Sequence, residues 1–476
     1  LNPSKSDAMP IGIYPANKPI PFFDDFKRDN NSIFILGTTL TCDDKPAIVR
    51  NFMQKQHQIG EMMYRLGKSF NSTLGRVLLI KSLMSSKLVY AYSSIPSPPP
   101  HFITDLQNLL FKFLWGGKRN QLNTSIVYAA REHGGLALTD VELQETCLKA
   151  AWMPRLCRVI TYNSTMMKHK LIYPLHILAK SNISPLKAKE MFRPFTPQIL
   201  IDILRAWFKL VFVRPKTTEE ILAQPIWCNQ FIMRNGSLLL QPDPDEPKQF
   251  LQIADIWDPE KCAFSTHQDF QNDHFQMNPV EYNTMLAAIP QRWINKLRQD
   301  QTGFTGETHL WDEVRNMKEK VTSYLYKKVI STRAVKTNSP DKWTRDVGIE
   351  FPSWKRILST LKNLTPMNLQ SFHVKFLHHL YSGNSLAYLQ KKTNNPNCIH
   401  CQSTDTILHA YWECPTIRDV WDHVSIRLAQ FLQHPITYSI DDAMYSTASD
   451  HPTNIAEIIM MPTQQASALI FHRREE

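Results

Sequence analysis

The side chains best suited to chemistry are Cys398, Cys401, His409 and Cys414, spaced C-x2-C-x7-H-x4-C. Three thiolates and one imidazole complete the tetrahedral shell of a zinc ion and leave no position open for water. Such a closed shell is structural rather than catalytic. The two-residue gap lets a tight turn, with Pro396 upstream, aim Cys398 and Cys401 at one point. His409 and Cys414 then come from the start and end of a short second arm. His400 and His423 are rival ligands. His400 is squeezed inside the turn and His423 falls on the following helix, so both rank below His409. The plainer alternative is four reduced, packed residues, since free cysteine is often buried.

The elements that must position this quartet are helical. After Cys414, Pro415 and Thr416 are expected to open a helix, with Thr416 and Asp419 as its capping box and Ile417, Val420, Trp421, Val424, Leu428 and Phe431 at helical spacing. Before Cys398, residues Leu369, Phe372, Phe376, Leu377 and Leu380 mark another helix, with His373, His378 and His379 expected on its polar face.

A second set of candidates is cationic. The chain has 54 Lys and Arg against 43 Asp and Glu, a net charge of +11, which favours a polyanionic partner. Arg76 and Lys87 are eleven residues apart, about three helical turns, and so fall on one line, with Lys81 between them but off it. Lys118 and Arg119 follow a helix ended by Gly116 and Gly117. A basic edge of this kind suits sequence-independent phosphate contacts; a solvated helix face is the bland reading. Lys391, Lys392, His400 and Arg418 offer a smaller basic surface around the cysteines. Trp115 reads as core, not as a base-stacking platform.

The 476 residues allow two or three domains. Eight cysteines in such a length are not a disulfide framework and point to a reducing, intracellular compartment. No apolar run is long enough for a membrane span. No glycine-rich phosphate loop and no small-molecule site is evident. Only 14 glycines and many helical periodicities predict a mainly α chain with a small β-containing start, an α+β class overall. Met9–Ile13 and Ile33–Gly37 read as strands. Leu74 to Tyr92 reads as one long helix stopped by the prolines at 96 and 98–100, and Phe102 to Phe113 as the next. Gly134 to Asp140 reads as a turn into a short strand or extended arm. Ile199 to Phe212 and Leu310 to Ile330 read as helices. The chain becomes polar after about 433, where loose order is expected.

Taken in order, these landmarks resemble the C-terminal part of the second open-reading-frame protein of LINE-type non-LTR retrotransposons. The residues concerned are Leu1–Ser6, Leu36–Gly37, Leu74–Gly75–Arg76, Lys87–Leu88–Val89–Tyr90, the proline run, Phe113–Arg119, Gly134–Leu138, Lys342–Trp343 and the cysteine segment with Trp412–Pro415. The resemblance implies the end of a reverse-transcriptase palm (1–45), a helical thumb (46–119), a connecting region (120–300), a segment with a zinc knuckle at 398–414 (301–432) and a polar tail (433–476). It implies template RNA and DNA target or primer as partners, in a ribonucleoprotein of nucleus and cytoplasm. The family's magnesium-binding aspartate pair would precede residue 1, as would its endonuclease. Magnesium therefore belongs to the intact parent, and this chain is expected to be inactive alone. Asp24–Asp25 follows the landmark strand, sits among Pro19, Pro21, Lys27 and Arg28, and reads as a solvated turn. The alternative is a structural or protein-interaction module from a decayed or domesticated copy.

Overall fold

Helices carry most of the described residues, and strands occur only as short pairs, so the chain is mainly α with a small β part. The structure, a computed structural model, describes residues 7–8, 27–28, 32–41, 44–67, 72–162, 175–191, 197–239, 251–273, 277–299, 309–333, 339–348, 350–357, 367–380, 383–435 and 439–445. Leu1–Ser6, the Met9–Ile13 run and Asp24–Asp25 lie outside them. Two units are distinguished. One comprises Leu1–Gln54, Leu88–Phe102 and Val141–Val329; the other comprises Lys55–Lys87, Ile103–Asp140 and Ile330–Glu476.

In the first unit, Ser32–Ile35 pairs antiparallel with Thr38–Thr41. The connecting Leu36 and Gly37 both have positive φ, 49° and 77°, as a two-residue hairpin turn demands. The amide side chain of Asn51 clamps this hairpin: it accepts from the Thr39 amide at 2.8 Å and donates to the Thr39 carbonyl at 2.7 Å. Phe52 packs on Tyr92 and Phe102 with ring centroids 5.8 and 5.1 Å apart. The helices Val141–Ala150 and Gln198–Val211 pack together, and Trp207 is fully buried with its indole donating to the Ala179 carbonyl. A further core gathers Ile226, Trp227, Ile253, Phe270, Tyr282 and Trp293. The expected helix over 310–330 is two, Leu310–Val314 and Val321–Thr332.

The first of these is capped by His309, whose Nδ1 accepts from the Trp311 amide at 3.1 Å. Only a neutral imidazole can accept there. Burial pushes the His309 pKa down to about 4 from 6.5, with Asp312 opposing. The folded state therefore resists a proton that the unfolded chain takes up. The stabilisation is full above pH 6.5 and is lost as pH falls towards 4. Asparagine caps equally well without titrating. His309→Asn is thus expected to remove about 1–2 kcal/mol of the stability lost between neutral pH and about pH 5, read by urea unfolding at both values.

In the second unit, the core joins Trp343, Trp354, Ile357, Phe376, Leu377, Tyr411, Ile417, Trp421 and Met444. Trp343 is fully buried and its indole donates to the Leu377 carbonyl at 2.9 Å. His373 and His378 belong to the interior and not to a polar face, with exposures of 1% and 7%. His378 bridges Ser339 and the Gly134 carbonyl at 3.1 and 2.6 Å. Ile440–Tyr445, in a stretch expected to be loose, is a helix whose Ala443, Met444 and Tyr445 are buried.

The expected extended arm is present. Leu136 and Leu138 donate to the Ile126 and Val127 carbonyls, and Ala137 to that of Ala129. Gly134 turns the chain at φ 77°. At Gly135 a Cβ would lie 2.0 Å from the Ala129 carbonyl oxygen, so the two backbone segments close only over glycine. Gly135→Ala should destabilise the fold by about 2–3 kcal/mol in chemical denaturation.

Candidate metal centre and nucleic-acid interface

Residues 396 to 405 form a tight knuckle. The Cys398 amide donates to the Ser403 carbonyl at 2.8 Å, that of Gln402 to the Cys398 carbonyl at 3.0 Å, and that of Asp405 to the Pro396 carbonyl at 3.0 Å. Gln402 takes the left-handed conformation, φ 63°. The His400 amide points at the Cys398 sulfur, 3.4 Å away, so His400 contributes its backbone to the knuckle. The Asp405 carboxylate and carbonyl anchor the following strand of the knuckle to the Asn384–Leu389 helix by accepting from the Asn384 and Ser385 amides.

The second pair of ligands comes from a π-turn, His409–Glu413. The Cys414 amide donates to the His409 carbonyl at 3.1 Å, closing a ring one residue wider than an α-turn. In an α-helix residues five apart point well away from each other. The wider turn brings the two ends, His409 and Cys414, round to the same side.

All four donor atoms lie within 4.8 Å of one another. Cys398 and Cys414 sulfurs are 3.8 Å apart, those of Cys401 and Cys414 4.0 Å, and Cys401 Sγ lies 3.1 Å from His409 Nε2. Zinc–sulfur bonds of about 2.3 Å at tetrahedral angles place neighbouring sulfurs about 3.8 Å apart. The quartet therefore has the donor chemistry and the spacing of a closed zinc shell. Cys398, His409 and Cys414 are buried and Cys401 is half-buried. The Ser403 backbone and hydroxyl beside Cys401 pull its thiol down to about 6, towards the thiolate that binds metal. At Cys414 burial raises the thiol, opposed by the Ile417 amide. By contrast, burial holds Cys157 and Cys228 near 12, as inert thiols.

Cys414 also begins the Pro415–Leu432 helix. It occupies the N-cap position, Pro415 stands in the first turn, and no side chain caps the helix by a hydrogen bond. The Thr416–Asp419 capping box is therefore absent, because Thr416 is already inside the helix. Ile417, Trp421 and Leu428 are buried, but Phe431 is 74% exposed and leaves the apolar face. His423 is exposed on this helix and is not part of the quartet.

The cationic candidates sit on a broken helix. Thr73–Leu79 leads into a second π-turn, Ile80–Met84, closed by the Ser85 amide on the Ile80 carbonyl, before Ser86–Ser94 resumes. The extra residue rotates everything beyond it by about 100°. Arg76 and Lys87 are thus not in line, and Leu78 is 53% exposed. Arg76 is half-buried. Its guanidinium donates to the Phe113 carbonyl at 3.0 Å, lies over the Phe113 ring and occupies the space a Cβ at Gly116 would need. That geometry ties two helices together.

Lys81, Lys87, Lys118 and Arg119 are exposed, and Trp115 is buried. Two cations the sequence pattern did not single out join them. Partial burial and then the charge of Lys87 lower the Lys55 pKa. Partial burial and then the charge of Arg131 lower that of Lys81. Lys55 and Lys87, and Lys81 and Arg131, thus place like charges near one another across separate elements. Long-range packing made these pairs, and no local spacing announces them. Around the knuckle, Lys391, Lys392, His400 and Arg418 are exposed, and Arg418 stacks over Trp412 at 4.5 Å. All these cations and the four metal donors belong to the second unit. Among the described residues, no helix is long and apolar enough to cross a membrane.

No family model matches the chain. A curated protein, the Transposon TX1 uncharacterized 149 kDa protein of Xenopus laevis, is 32% identical over 255 residues, which is 48% of this chain and 18% of that protein. The chain is thus a distant and partial relative of a transposon protein, matching less than a fifth of its length.

Proposed function

We propose that this chain is a nucleic-acid-binding piece of a non-LTR retrotransposon reverse transcriptase. It holds template RNA and the DNA primer duplex through a basic thumb-like surface and a zinc-stabilised knuckle. Lys81, Lys87, Lys118 and Arg119 make phosphate contacts, and Lys55 and Arg131 add positive charge beside them. Zinc at Cys398, Cys401, His409 and Cys414 is structural. Polymerisation belongs to the intact parent, where magnesium sits on an aspartate pair elsewhere in that protein, and the working assembly is a ribonucleoprotein of nucleus and cytoplasm.

The observation that carries this reading is the grouping of crowded cations and a Cys3His quartet in one unit, from segments far apart in sequence. The partial similarity to a transposon protein and the ordered landmarks support it. The test is binding of a labelled RNA–DNA duplex by the full chain and by a variant with Lys81, Lys87, Lys118 and Arg119 all changed to Glu. Binding is expected to vanish in the variant while its melting temperature stays. Undiminished affinity in the variant overturns the proposal.

A further inference from the structure

Two features of the second unit, the metal quartet and the start of the cation-bearing helix, meet on opposite ends of one short element. This is the Met367–Leu377 helix. Towards one end it serves the Thr73–Leu79 helix. The buried Ser371 hydroxyl accepts from the Thr73 amide at 2.9 Å and from the Leu74 amide at 3.4 Å. The Ser72 hydroxyl accepts from the Gly75 amide at 3.0 Å and donates to the Met367 carbonyl at 3.4 Å. A helix start leaves its first amides without partners inside the helix. Here the amides of Thr73, Leu74 and Gly75 are all satisfied, the first two by a side chain 298 and 297 positions away.

Towards its other end the same helix reaches the metal quartet. The Phe376 ring meets that of Tyr411 edge-on at 4.5 Å, and Tyr411 lies inside the π-turn whose ends are His409 and Cys414. Phe376, Leu377, Cys398, Ala410, Tyr411 and Cys414 share one core. A bound ion pins both ends of that π-turn. Without it, three thiols and an imidazole have no common partner to draw them together, and only core packing and the Trp421 indole on the Tyr411 carbonyl hold the surface under Phe376.

We infer that metal capture by the quartet sets the Met367–Leu377 helix and, through Ser371, fixes the start of the helical run that carries Lys81 and Lys87. Ser371 is a positioning residue for those cations. Only this last link, from the helix start to the nucleic acid, rests on the function proposed above.

The experiment is hydrogen exchange read by mass spectrometry on the full chain. The samples are the zinc-loaded protein, the same protein stripped by a chelator, Ser371→Ala and Ser371→Thr. Loss of the capping hydroxyl should speed exchange at Thr73 and Leu74 roughly fivefold. Stripping zinc should speed it in the same direction. Ser371→Thr, which keeps the hydroxyl, should restore protection, and the Gln198–Val211 helix of the other unit should not change. Affinity for an RNA–DNA duplex at fixed salt should fall in proportion. Unchanged exchange at Thr73–Gly75 after zinc removal overturns the inference. Faster exchange with unaltered duplex binding upholds the transmission and overturns the role given to the cations. If stripping unfolds the whole chain, Ser371→Ala decides, since protection unaltered in that variant overturns the inference as well.

Discussion

Cys414→Ser is expected to abolish zinc retention and to lower the melting temperature of the chain by about 10 °C or more. The side chain is fully buried and is at once a metal donor and the residue that starts the Pro415–Leu432 helix. Serine nearly preserves its volume, so a cavity does not account for the loss. A structural zinc site contributes about 10–16 kcal/mol of apparent binding energy in small zinc domains. Forfeiting one of four donors should remove several kcal/mol, and each is worth about 2–4 °C in a domain of this size. Native mass spectrometry measures the metal and calorimetry the transition. Cys228→Ser is the control: that thiol is buried in the other unit, held near 12, and its loss should leave the zinc content unchanged. A Cys414→Ser protein that keeps its metal, or melts like its parent, would falsify the assignment of the quartet.

The second large effect is the dependence of duplex binding on salt. Each phosphate neutralised releases condensed counterions and adds about −0.9 to the slope of log affinity against log salt. About four such contacts, from Lys81, Lys87, Lys118 and Arg119, predict a slope near −4. Raising salt from about 50 to about 200 mM should then weaken binding on the order of 100-fold. Changing Lys81 and Lys87 to Glu should make the slope shallower by about 2. Arg76→Lys should behave differently. It should cost stability, because the guanidinium holds the Phe113 carbonyl, and leave the slope nearly unchanged. A slope near zero in the parent chain would mean that phosphate contacts are not the basis of binding.

The parts of this molecule that could be read from its sequence are those fixed by neighbours along the chain. The four metal donors fall within seventeen residues, so their spacing alone implied convergence. The glycine stop at 116–117 and the Gly134–Gly135 arm were legible for the same reason, whereas the spacing ran a strand through Leu36 and Gly37, which form the turn. The π-turns were not. The apolar spacing along Leu74 to Tyr92 does not mark where one extra residue enters the turn, yet the slip of about 100° at Ile80–Met84 is what separates Arg76 from Lys87. The Thr416–Asp419 pattern misled because Cys414 and Pro415 had already taken the first positions of that helix. His373 and His378 were placed on a polar face by residue type, although the fold buries them. Lys55, Arg131 and Ser371 matter only through partners brought in from far along the chain, which no local pattern contains.

The distance between Ser371 and the amides it covers also has a bearing on biosynthesis. Translation proceeds at roughly 5–20 residues per second, so Thr73 leaves the ribosome some 15–60 s before the hydroxyl that will close its helix exists. During that interval the nascent segment from Thr73 to Leu79 must wait with open amide groups, and its final shape is sealed only late in synthesis. Chains halted between these two points should therefore be more readily attacked by proteases near Thr73 than finished ones.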